Sequence, residues 1–387
     1  MKAAPVAYLC ADPGIPPDSS KGASVHFRAM ARALAQNGQA LDVLMTRAGA
    51  VDGFLPHRAR VVATPRAVGV AGEVLQLAHS QAVFEALDAA GPHVALYERL
   101  ALFSAGGLAY ARARSIPYVV EVNAPLWLEA AEFRSLHLAA TAQALCLDVL
   151  RSADAVFAVS KALAALLVDA GAPSARVHVL GNGADLASFQ DAPPCARPAA
   201  LRGKPVLLFA GSLKPWHGVD FLLEAFAALR RRRPCGLWIV GDGPMKDAVV
   251  RAQHEMPADV VWEGAVPHER MPELLAAADA ICAPYPGSAP AYFSPLKVVE
   301  GLAARRPLIG SRVPCVLGEL DGRELPGLYE ADSVPSFVAA AERVLADPAA
   351  ARADEALVAA LDWTSKARVV LPWLRGTAVT PEAARGG

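Results

Sequence analysis

The chain has 387 residues, more than one ordinary hydrophobic core accommodates, so we expect two domains. Hydrophobic residues make up 54% of it, yet no apolar run approaches the roughly 20 residues that a membrane-spanning helix requires. The net charge of −1 argues against a general nucleic-acid-binding protein, and six scattered cysteines without a CxxC pair predict reduced thiols in a cytoplasmic protein without a zinc site.

The N-terminal half alternates short apolar runs with amphipathic helical patterns. A helix is predicted over residues 23–36, and Asn37-Gly38 ends it. Such an alternation is typical of a parallel sheet that is covered by helices on both faces. The predicted strands of this half are 6–10, 41–45, 93–97, 118–122 and 155–159.

Residues 191–205, DAPPCARPAALRGKP, interrupt this alternation with proline, alanine and charge, and we interpret them as a linker. The alternation then restarts, with predicted strands at 206–211, 237–241, 260–264, 280–284 and 308–310. The sequence therefore predicts an α/β protein with two doubly wound, Rossmann-like domains that face each other across a cleft. In open sheets of this kind ligands bind at the carboxyl ends of the strands, so the loops there are the candidate sites.

The loop GSLKPWHG, residues 211–218, follows a predicted strand and precedes a predicted helix. Lys214 and His217 would lie beside a helix N-terminus, where backbone N–H groups and the helix dipole attract anions. A solvated lysine in a turn is an equally good interpretation of this loop alone.

Two further loops contain glycine. GDGPMK, residues 241–246, has Gly241 and Gly243, but Lys246 stands where a dinucleotide fingerprint has its third glycine, so a tight turn explains the pattern equally well. Gly22 precedes the first predicted helix and would let a ligand approach the backbone closely, or it marks a plain helix-entry turn.

The segment AYFSPLKVVEGLAARRPLIGS, residues 291–311, carries the sharpest signal. Pro295 favours a helix start, where the N–H groups of Leu296 and Lys297 would face a phosphate and the Lys297 ammonium would add charge. One turn later, Glu300 offers a carboxylate to a ribose diol, so the pair predicts a nucleotide site. The alternative is a surface ion pair worth about 0.2–0.5 kcal/mol, which we consider weaker because the flanking VVEGLAA is apolar.

The order and spacing of these motifs resemble those of the GT-B-fold glycosyltransferases of family 4. KGASVHFRAMARALAQNG resembles the first glycine loop and helix of the family, and NGADLASF resembles its end-of-domain signature. LLFAGSLKPWHGVDFLLEAF and IVGDGP resemble its nucleotide loops, and SPLKVVEGLAARRP resembles its donor-binding segment. YERLALFSAGGLAYARARSIPYVVEVNAPL looks like one branch of the family.

The resemblance implies an acceptor domain over 1–190, a nucleotide-sugar domain over 206–360, and a segment over 361–387 whose helix crosses back to the first domain. It implies that Glu300 takes the ribose hydroxyls, that the backbone of 294–297 holds the distal phosphate, and that Gly22 approaches the diphosphate. It also implies transfer with retention of configuration and without metal or cofactor, and the sequence contains no Asp-x-Asp motif.

Three departures from the family pattern concern charged positions. Ser212 and His217 stand where the family usually has arginine and lysine, Tyr292 replaces a glutamate, and Asn123 stands where a histidine often ends an N-terminal strand. The donor-binding residues implied are Gly22, Gly211, Ser212, His217, Gly241, Gly243, Tyr292, Phe293, Ser294, Pro295, Leu296, Lys297 and Glu300. The catalytic candidates are Lys297, Lys214, Glu98, Glu121 and Asn123.

Glu98 and Glu121 lie at the ends of predicted strands. They would face the acceptor, or Glu121 would pair with Arg99, and the sequence does not decide between these interpretations.

The resulting hypothesis is a retaining enzyme that moves a hexose from a nucleoside-diphosphate sugar to a hydroxyl acceptor in polysaccharide, glycolipid or other glycoconjugate synthesis. It would work in the cytoplasm, with peripheral contact at the inner membrane face as an added location, and without nucleic acid. The alternatives are a non-catalytic, transferase-like subunit that binds nucleotide sugars, and an epimerase or phosphorylase on the same scaffold.

Overall fold

A computed structural model of the protein describes residues 4–19, 21–47, 49, 58–65 and 67–378. The chain divides into two compact units, which are Met1–Gly181 with Trp363–Gly387, and Asn182–Asp362. Each unit is built on a sheet of parallel strands with helices around it, as the sequence predicts. In the part of the chain that the structure describes, no helix is both long and apolar enough to span a membrane.

The first unit contains a seven-stranded sheet with the strand order β3-β2-β1-β4-β5-β6-β7. Its central strands are largely apolar and their residues are all buried, because helices cover both faces of the sheet. The strands are β1 (Val6–Cys10), β2 (Leu41–Met45), β3 (Arg58–Val61), β4 (Ala95–Arg99), β5 (Tyr118–Val122), β6 (Ala155–Ala158) and β7 (Val177–Val179).

The helices of the first unit include the last helix of the chain. Trp363, Val370 and Leu374 of that helix share one buried cluster with Phe27 and Leu34 of the first helix, so the C-terminal helix belongs to this unit. The helices are α1 (Gly22–Gln36), α2 (Gly69–Ala90), α3 (Gly106–Arg114), α4 (Leu126–Phe133), α5 (Ala139–Ser152), α6 (Lys161–Asp169) and, at the C-terminus, α15 (Trp363–Leu374).

The second unit contains a six-stranded sheet with the strand order β10-β9-β8-β11-β12-β13. Two buried clusters, one around Leu208 and Val298 and the other around Phe209 and Phe226, fill its interior. The strands are β8 (Val206–Ala210), β9 (Gly236–Val240), β10 (Val260–Gly264), β11 (Ala280–Ala283), β12 (Leu308–Ser311) and β13 (Leu328–Tyr329).

Eight α-helices accompany this sheet among the described residues, together with short 3₁₀ turns at Pro215–His217 and His268–Arg270. The helices are α7 (Leu186–Gln190), α8 (Val219–Arg230), α9 (Lys246–Glu255), α10 (Met271–Ala277), α11 (Leu296–Ala303), α12 (Pro314–Gly318), α13 (Val334–Ala346) and α14 (Glu355–Ala360).

The domain boundary differs from the predicted one, because residues 182–205 group with the second unit. Ala184 N–H donates to the Leu361 carbonyl at 2.8 Å, and Cys195 N–H donates to the Glu273 carbonyl at 3.2 Å. The Arg197 guanidinium donates to the Ala277 carbonyl at 2.7 Å. The proline-rich segment is irregular but packed, since long-range hydrogen bonds hold it to the second unit.

Strand β4 begins two residues later than predicted. His93, the predicted first strand residue, instead contacts Asp42 and Tyr110 through its two ring nitrogens, at 3.2 and 2.7 Å. Glu98 and Arg99 consequently lie inside the strand rather than after it. The strands β3, β7 and β13 were not predicted individually, because they are short or lie at the edges of the sheets.

Gly218 ends the 3₁₀ turn before α8 with a φ of +71°, and a Cβ there would lie 1.6 Å from the Pro284 carbonyl oxygen. Gly203 has a similar φ of +75° but no atom within 4 Å of its Cβ position. We therefore expect Gly203→Ala to lower the free energy of unfolding by about 1 kcal/mol, the cost of left-handed backbone. Gly218→Ala should lower it by about 3 kcal/mol or more, because the backbone of the 284 loop must also move.

Urea denaturation of the two variants, followed by circular dichroism, measures this difference. Equal losses at the two positions would show that the approach to Pro284 does not constrain the loop.

Candidate functional site

Lys297 lies in the first turn of α11, and its ammonium group is buried although part of its stem is exposed. The Nζ atom lies 4.0 Å from the ring centroid of Phe209 on β8 and 4.8 Å from that of Tyr285. No side chain or carbonyl among the described residues accepts a hydrogen bond from it. Aromatic faces attract a cation, but they do not replace the hydrogen bonds that an ammonium makes in water. A cation is thus held beside the end of β8 with its donors unused.

Burial lowers the pKa of Lys297 to about 7, because desolvation disfavours its charged form. The nearby thiols of Cys315 and Cys282 act weakly in the opposite direction. An anion within reach of Nζ would favour the charged form and offset the desolvation. The arrangement is therefore suited to an anionic group that arrives with a ligand.

Glu300 does not pair with Lys297, although the two residues are one helical turn apart. Its Oε1 accepts a hydrogen bond from Nε2 of His268 at 2.7 Å, and the residue is only 8% exposed. The alternative of a surface Lys–Glu pair is therefore wrong. His268 precedes Glu300 by 32 residues, at no recognisable ligand spacing, so this contact could not be predicted from the sequence.

The loop 211–218 presents one neutral and one charged side chain. Nδ1 of His217 donates to the Ser212 carbonyl at 2.6 Å, which fixes the tautomer because a carbonyl oxygen only accepts. Burial, with the charges of Lys297 and Lys214, lowers the pKa of His217 to about 3. His217 therefore adds no positive charge where the family usually has lysine, and Ser212 is exposed and uncharged.

Lys214 is the second cation of this loop. Its Nζ lies 4.5 Å from the ring centroid of Trp216, which is 40% exposed, and the lysine itself is partly exposed. Unlike Lys297, it can change its conformation without breaking a buried contact.

Gly211, Gly241 and Gly243 lie where two loops touch at the carboxyl ends of β8 and β9. A Cβ on Gly241 would lie 1.9 Å from the Gly211 carbonyl oxygen. Leu213 N–H donates to the Asp242 carbonyl at 2.9 Å, which joins the loops further. Packing of backbone against backbone accounts for Gly241 and Gly243 without a ligand, whereas a Cβ on Gly211 would lie 3.2 Å from Cε of Lys297.

The segment before α11 is tied down on one side by Asn182. Asn182 N–H donates to Ser294 Oγ at 3.2 Å, and Asn182 Nδ2 donates to the Ser294 carbonyl at 2.9 Å. Pro295 precedes the helix and Leu296 begins it, as predicted, while Tyr292 and Phe293 are half-buried. The Ser294 side chain therefore has a structural contact, which leaves the first amides of α11 as the expected phosphate contact.

Glu121 in the first unit is buried and surrounded by donors. Tyr97 OH donates to it at 2.7 Å, His26 Nε2 lies at 3.1 Å, and Tyr8 OH and Arg99 Nη1 lie at 3.4 Å. Burial alone would raise the pKa of Glu121, but His26, Arg99 and Tyr97 lower it to about 2. The predicted pairing of Glu121 with Arg99 is confirmed. The role of Glu121 towards an acceptor stays a prediction, since the residue also lines a narrow cavity of this unit.

Glu98 is also enclosed, on the other face of the same sheet. Tyr118 OH donates to its Oε2 at 2.7 Å, and a Cβ on Gly107 would lie 2.0 Å from that oxygen. Burial raises the pKa of Glu98 to about 7. Only 1% of the surface of Glu98 is exposed, and its predicted contact with an acceptor stays a prediction.

Asn123 follows β5 and lines a narrow cavity together with His26, Glu121 and Trp363. Its Oδ1 is buried and has no hydrogen-bond partner among the residues that the structure describes. Gly22 is exposed at the N-terminus of α1, the helix that carries His26. Gly22 is therefore an exposed predicted site residue of the first unit, whereas Asn123 contributes a buried amide oxygen to the narrow cavity.

A second cavity of the first unit, of about 490 Å³, lies where β1, β2 and β3 end. Arg47, Thr64 and Gln76 contribute polar groups to its lining, and the buried Oγ1 of Thr46 has no partner within the described ranges. No motif in the sequence pointed to it. Among the described residues, no group of three or more His, Cys, Asp and Glu side chains could hold a metal ion.

Two Rossmann-like units, the second with a cationic and a carboxylate group on helix α11, define an α/β protein of the doubly wound, two-domain class. The family model of the Glycosyltransferase Family 4 matches residues 20–188, and that of the Glycosyl transferases group 1 matches residues 204–347. Together the two models cover most of the chain, which belongs to the GT-B glycosyltransferases of family 4.

The curated relatives match only in part. Alpha-D-kanosaminyltransferase of Streptomyces kanamyceticus is 30% identical over 189 residues, which are 46% of this chain and 47% of the relative. The chain thus spans about half the length of the curated relatives it matches.

Solved structures match over nearly their whole length and show the fold. Sucrose-phosphate synthase from Thermosynechococcus elongatus has a TM-score of 0.72 at 19% identity. The match covers 97% of this chain and 99% of the synthase chain. HepE of Anabaena, solved with UDP and glucose, has a TM-score of 0.68 at 17% identity, covering 96% and 99%.

A buried cation without hydrogen bonds costs folding free energy, so its removal should stabilise the ligand-free protein. We expect Lys297→Met to raise the Tm by about 3 °C or more at pH 7, since Met fills a similar volume without a charge. The pKa of Lys297 is about 7 when folded and ordinarily 10.5, so the folded state binds fewer protons between these values and its stability rises over that interval. The variant should lose this part of the pH dependence.

Differential scanning calorimetry at several pH values measures both effects. Lys214→Met is the matched control, because its cation is partly exposed, and it should leave the Tm within about 1 °C. A Lys297→Met protein that is less stable than wild type at pH 7 would contradict the assignment of Lys297 as an uncompensated buried cation.

Proposed function

We propose that the protein is a retaining glycosyltransferase that moves a hexose from a nucleoside-diphosphate sugar to a hydroxyl acceptor, without a metal or cofactor. The observation that carries this proposal is the buried ammonium of Lys297, which has aromatic neighbours and no hydrogen-bond partner in the described chain. A cation held in this way at the start of a helix fits a ligand with several phosphate oxygens. The family to which the chain belongs supplies the class of reaction.

In the proposed reaction the bond between the anomeric carbon and the diphosphate oxygen breaks, and the acceptor oxygen bonds to that carbon from the same face. Negative charge develops on the leaving diphosphate, where Lys297, Lys214 and the first amides of α11 stabilise it. The acceptor proton passes to the departing phosphate oxygen, so the step needs no protein base. The enclosure of Glu98 and Glu121, each with its own donors, supports a mechanism of this kind.

Glu300 is proposed to accept hydrogen bonds from the ribose, one helical turn after Lys297. The acceptor is proposed to occupy the 490 Å³ cavity of the first unit, where Arg47, Thr64 and Gln76 can bind hydroxyl groups.

UDP, with which HepE was solved, is the first nucleotide to screen, followed by GDP, ADP and dTDP.

A non-catalytic subunit that binds nucleotide sugars is the second candidate. The specific observations that favour it are the neutral His217 and the exposed Ser212 at positions where the family usually has cations. Release of free sugar from the donor, in the absence of an acceptor, distinguishes an enzyme from such a subunit.

The roles of Lys297 and Glu300 predict different kinetic defects. Because charge grows on the diphosphate only as the bond breaks, Lys297→Ala should mainly lower kcat, by about 10²–10³-fold. The ribose is the same in donor and transition state, so Glu300→Gln should mainly raise the donor KM, by roughly 10–100-fold for lost hydrogen bonds to a charged acceptor.

Steady-state kinetics with the donor found in the nucleotide screen, and calorimetry with the corresponding diphosphate, test this division. A Glu300→Gln protein with wild-type nucleotide affinity would show that Glu300 does not bind the ribose. A Lys297→Ala protein with wild-type kcat would show that Lys297 does not stabilise the leaving diphosphate.

Activity should persist after dialysis against EDTA, because the proposed charge stabilisation comes from lysines and helix amides. The same assay with added Mg²⁺ and Mn²⁺ provides the comparison. If chelation abolished turnover and either ion restored it, the electrostatic part of the mechanism would have to be replaced by a metal-assisted one.

A further inference from the structure

The Glu300 carboxylate makes a short contact that the proposed mechanism does not use. Nε2 of His268 lies 2.7 Å from Oε1, a distance typical of a strong hydrogen bond to a charged acceptor. A carboxylate only accepts in its ionised form, so the Nε2–H group of the histidine is the donor. One oxygen of Glu300 is therefore occupied by the protein, and the other is available to a ligand.

The charge of Glu300 is not compensated by its neighbour on the helix. Lys297, one turn earlier, has its ammonium between the rings of Phe209 and Tyr285 instead. An i,i+3 ion pair on α11 would have directed the carboxylate towards Lys297. The contact with His268 holds the carboxylate to one side, so that the phosphate and ribose positions remain separate.

His268 itself lies on a braced turn. It begins the 3₁₀ turn His268–Arg270 between β10 and α10, and Arg270 contacts Glu263 of β10 at 2.9 Å and Glu273 of α10 at 2.7 Å. These ion pairs tie the turn to the elements on both sides of it. A histidine on such a turn can hold a carboxylate in one orientation.

We propose that His268 is a positioning residue for nucleotide recognition, which fixes Oε1 of Glu300 so that the other carboxylate oxygen accepts hydrogen bonds from the ribose hydroxyls. The inference rests on the proposed function, because it deepens the ribose contact of the same site. Orienting the acceptor before the ligand arrives removes part of the entropy cost of binding. A site that depends on the ribose hydroxyls should in turn discriminate against a nucleotide that lacks one of them.

The test compares a ribonucleoside diphosphate with its 2′-deoxy counterpart on the full-length protein. Isothermal titration calorimetry with UDP and 2′-deoxy-UDP gives the ratio of the two dissociation constants, and GDP or ADP with their deoxy forms replace this pair if the screen selects them. Wild type should prefer the ribonucleotide by about 10-fold or more, as expected when a charged acceptor loses its partner.

Two amide substitutions at His268 test whether the hydrogen bond to Oε1 of Glu300 is what gives the ribose preference. The Nε2 group of glutamine reaches about as far as Nε2 of histidine, so His268→Gln should keep the ribose preference within about 3-fold of wild type. The amide of asparagine ends one bond earlier and cannot reach Oε1, so His268→Asn should lose most of the preference. In a Glu300→Gln background, His268→Asn should change the ratio no further, because the two residues act through one contact.

The ratio is insensitive to partial unfolding, since an inactive fraction lowers the stoichiometry and leaves both dissociation constants unchanged. A ribose preference in His268→Asn equal to that of wild type would overturn the inference and leave the proposed function intact. A wild type that binds the diphosphate without any ribose preference would overturn the inference together with the proposed ribose contact of Glu300, and would leave the proposed transfer reaction intact. Absence of binding by every nucleoside diphosphate tested would overturn the proposed function and the inference with it.

Discussion

The burial of one ammonium group without hydrogen bonds is the constraint around which the second unit is arranged. Removing a lysine cation from water costs several kcal/mol unless a partner compensates for it, and the described residues supply only two aromatic faces. A purely structural position would be filled more favourably by an apolar side chain. The expected loss of stability agrees with the proposed binding site, which an anionic ligand would complete.

Helix α11 carries a cation and a carboxylate one turn apart, and the two groups do not contact each other. Its first turn presents the cation, and its buried face carries a carboxylate whose partner comes from the turn between β10 and α10. If the two charges had paired with each other, neither would be available to a ligand. The aromatic rings contact the ammonium and His268 contacts the carboxylate, which keeps the two charges apart. In the proposed site a single short helix can therefore bind both a phosphate and a sugar hydroxyl.

The sequence predicted those features that depend on neighbours along the chain. The period of the apolar residues predicted the strands around Val6–Cys10 and Tyr118–Val122 and the start of α11 at Pro295, because burial and helix entry leave local patterns. It could not predict that residues 191–205 pack on the second unit, since their hydrogen bonds reach residues about 80 positions away. The contact of His268 with Glu300 could not be predicted either, because the two residues are 32 positions apart in the chain.

The two glutamates of the first unit show a further limit of the sequence. A carboxylate at a strand end is compatible both with catalysis and with a buried network, and only the surrounding donors decide between them. Glu121 receives four donors and Glu98 is closed in by Gly107 and Tyr118, so both carboxylates already have partners within the unit. The unpartnered polar atoms of the described candidate sites are instead Lys297 Nζ, Asn123 Oδ1 and Thr46 Oγ1. Asn123 Oδ1 and Thr46 Oγ1 belong to neutral groups that do not take up a proton at neutral pH. The Lys297 ammonium is proposed to be charged beside the diphosphate, so in the proposed mechanism the departing phosphate accepts the proton of the reacting hydroxyl.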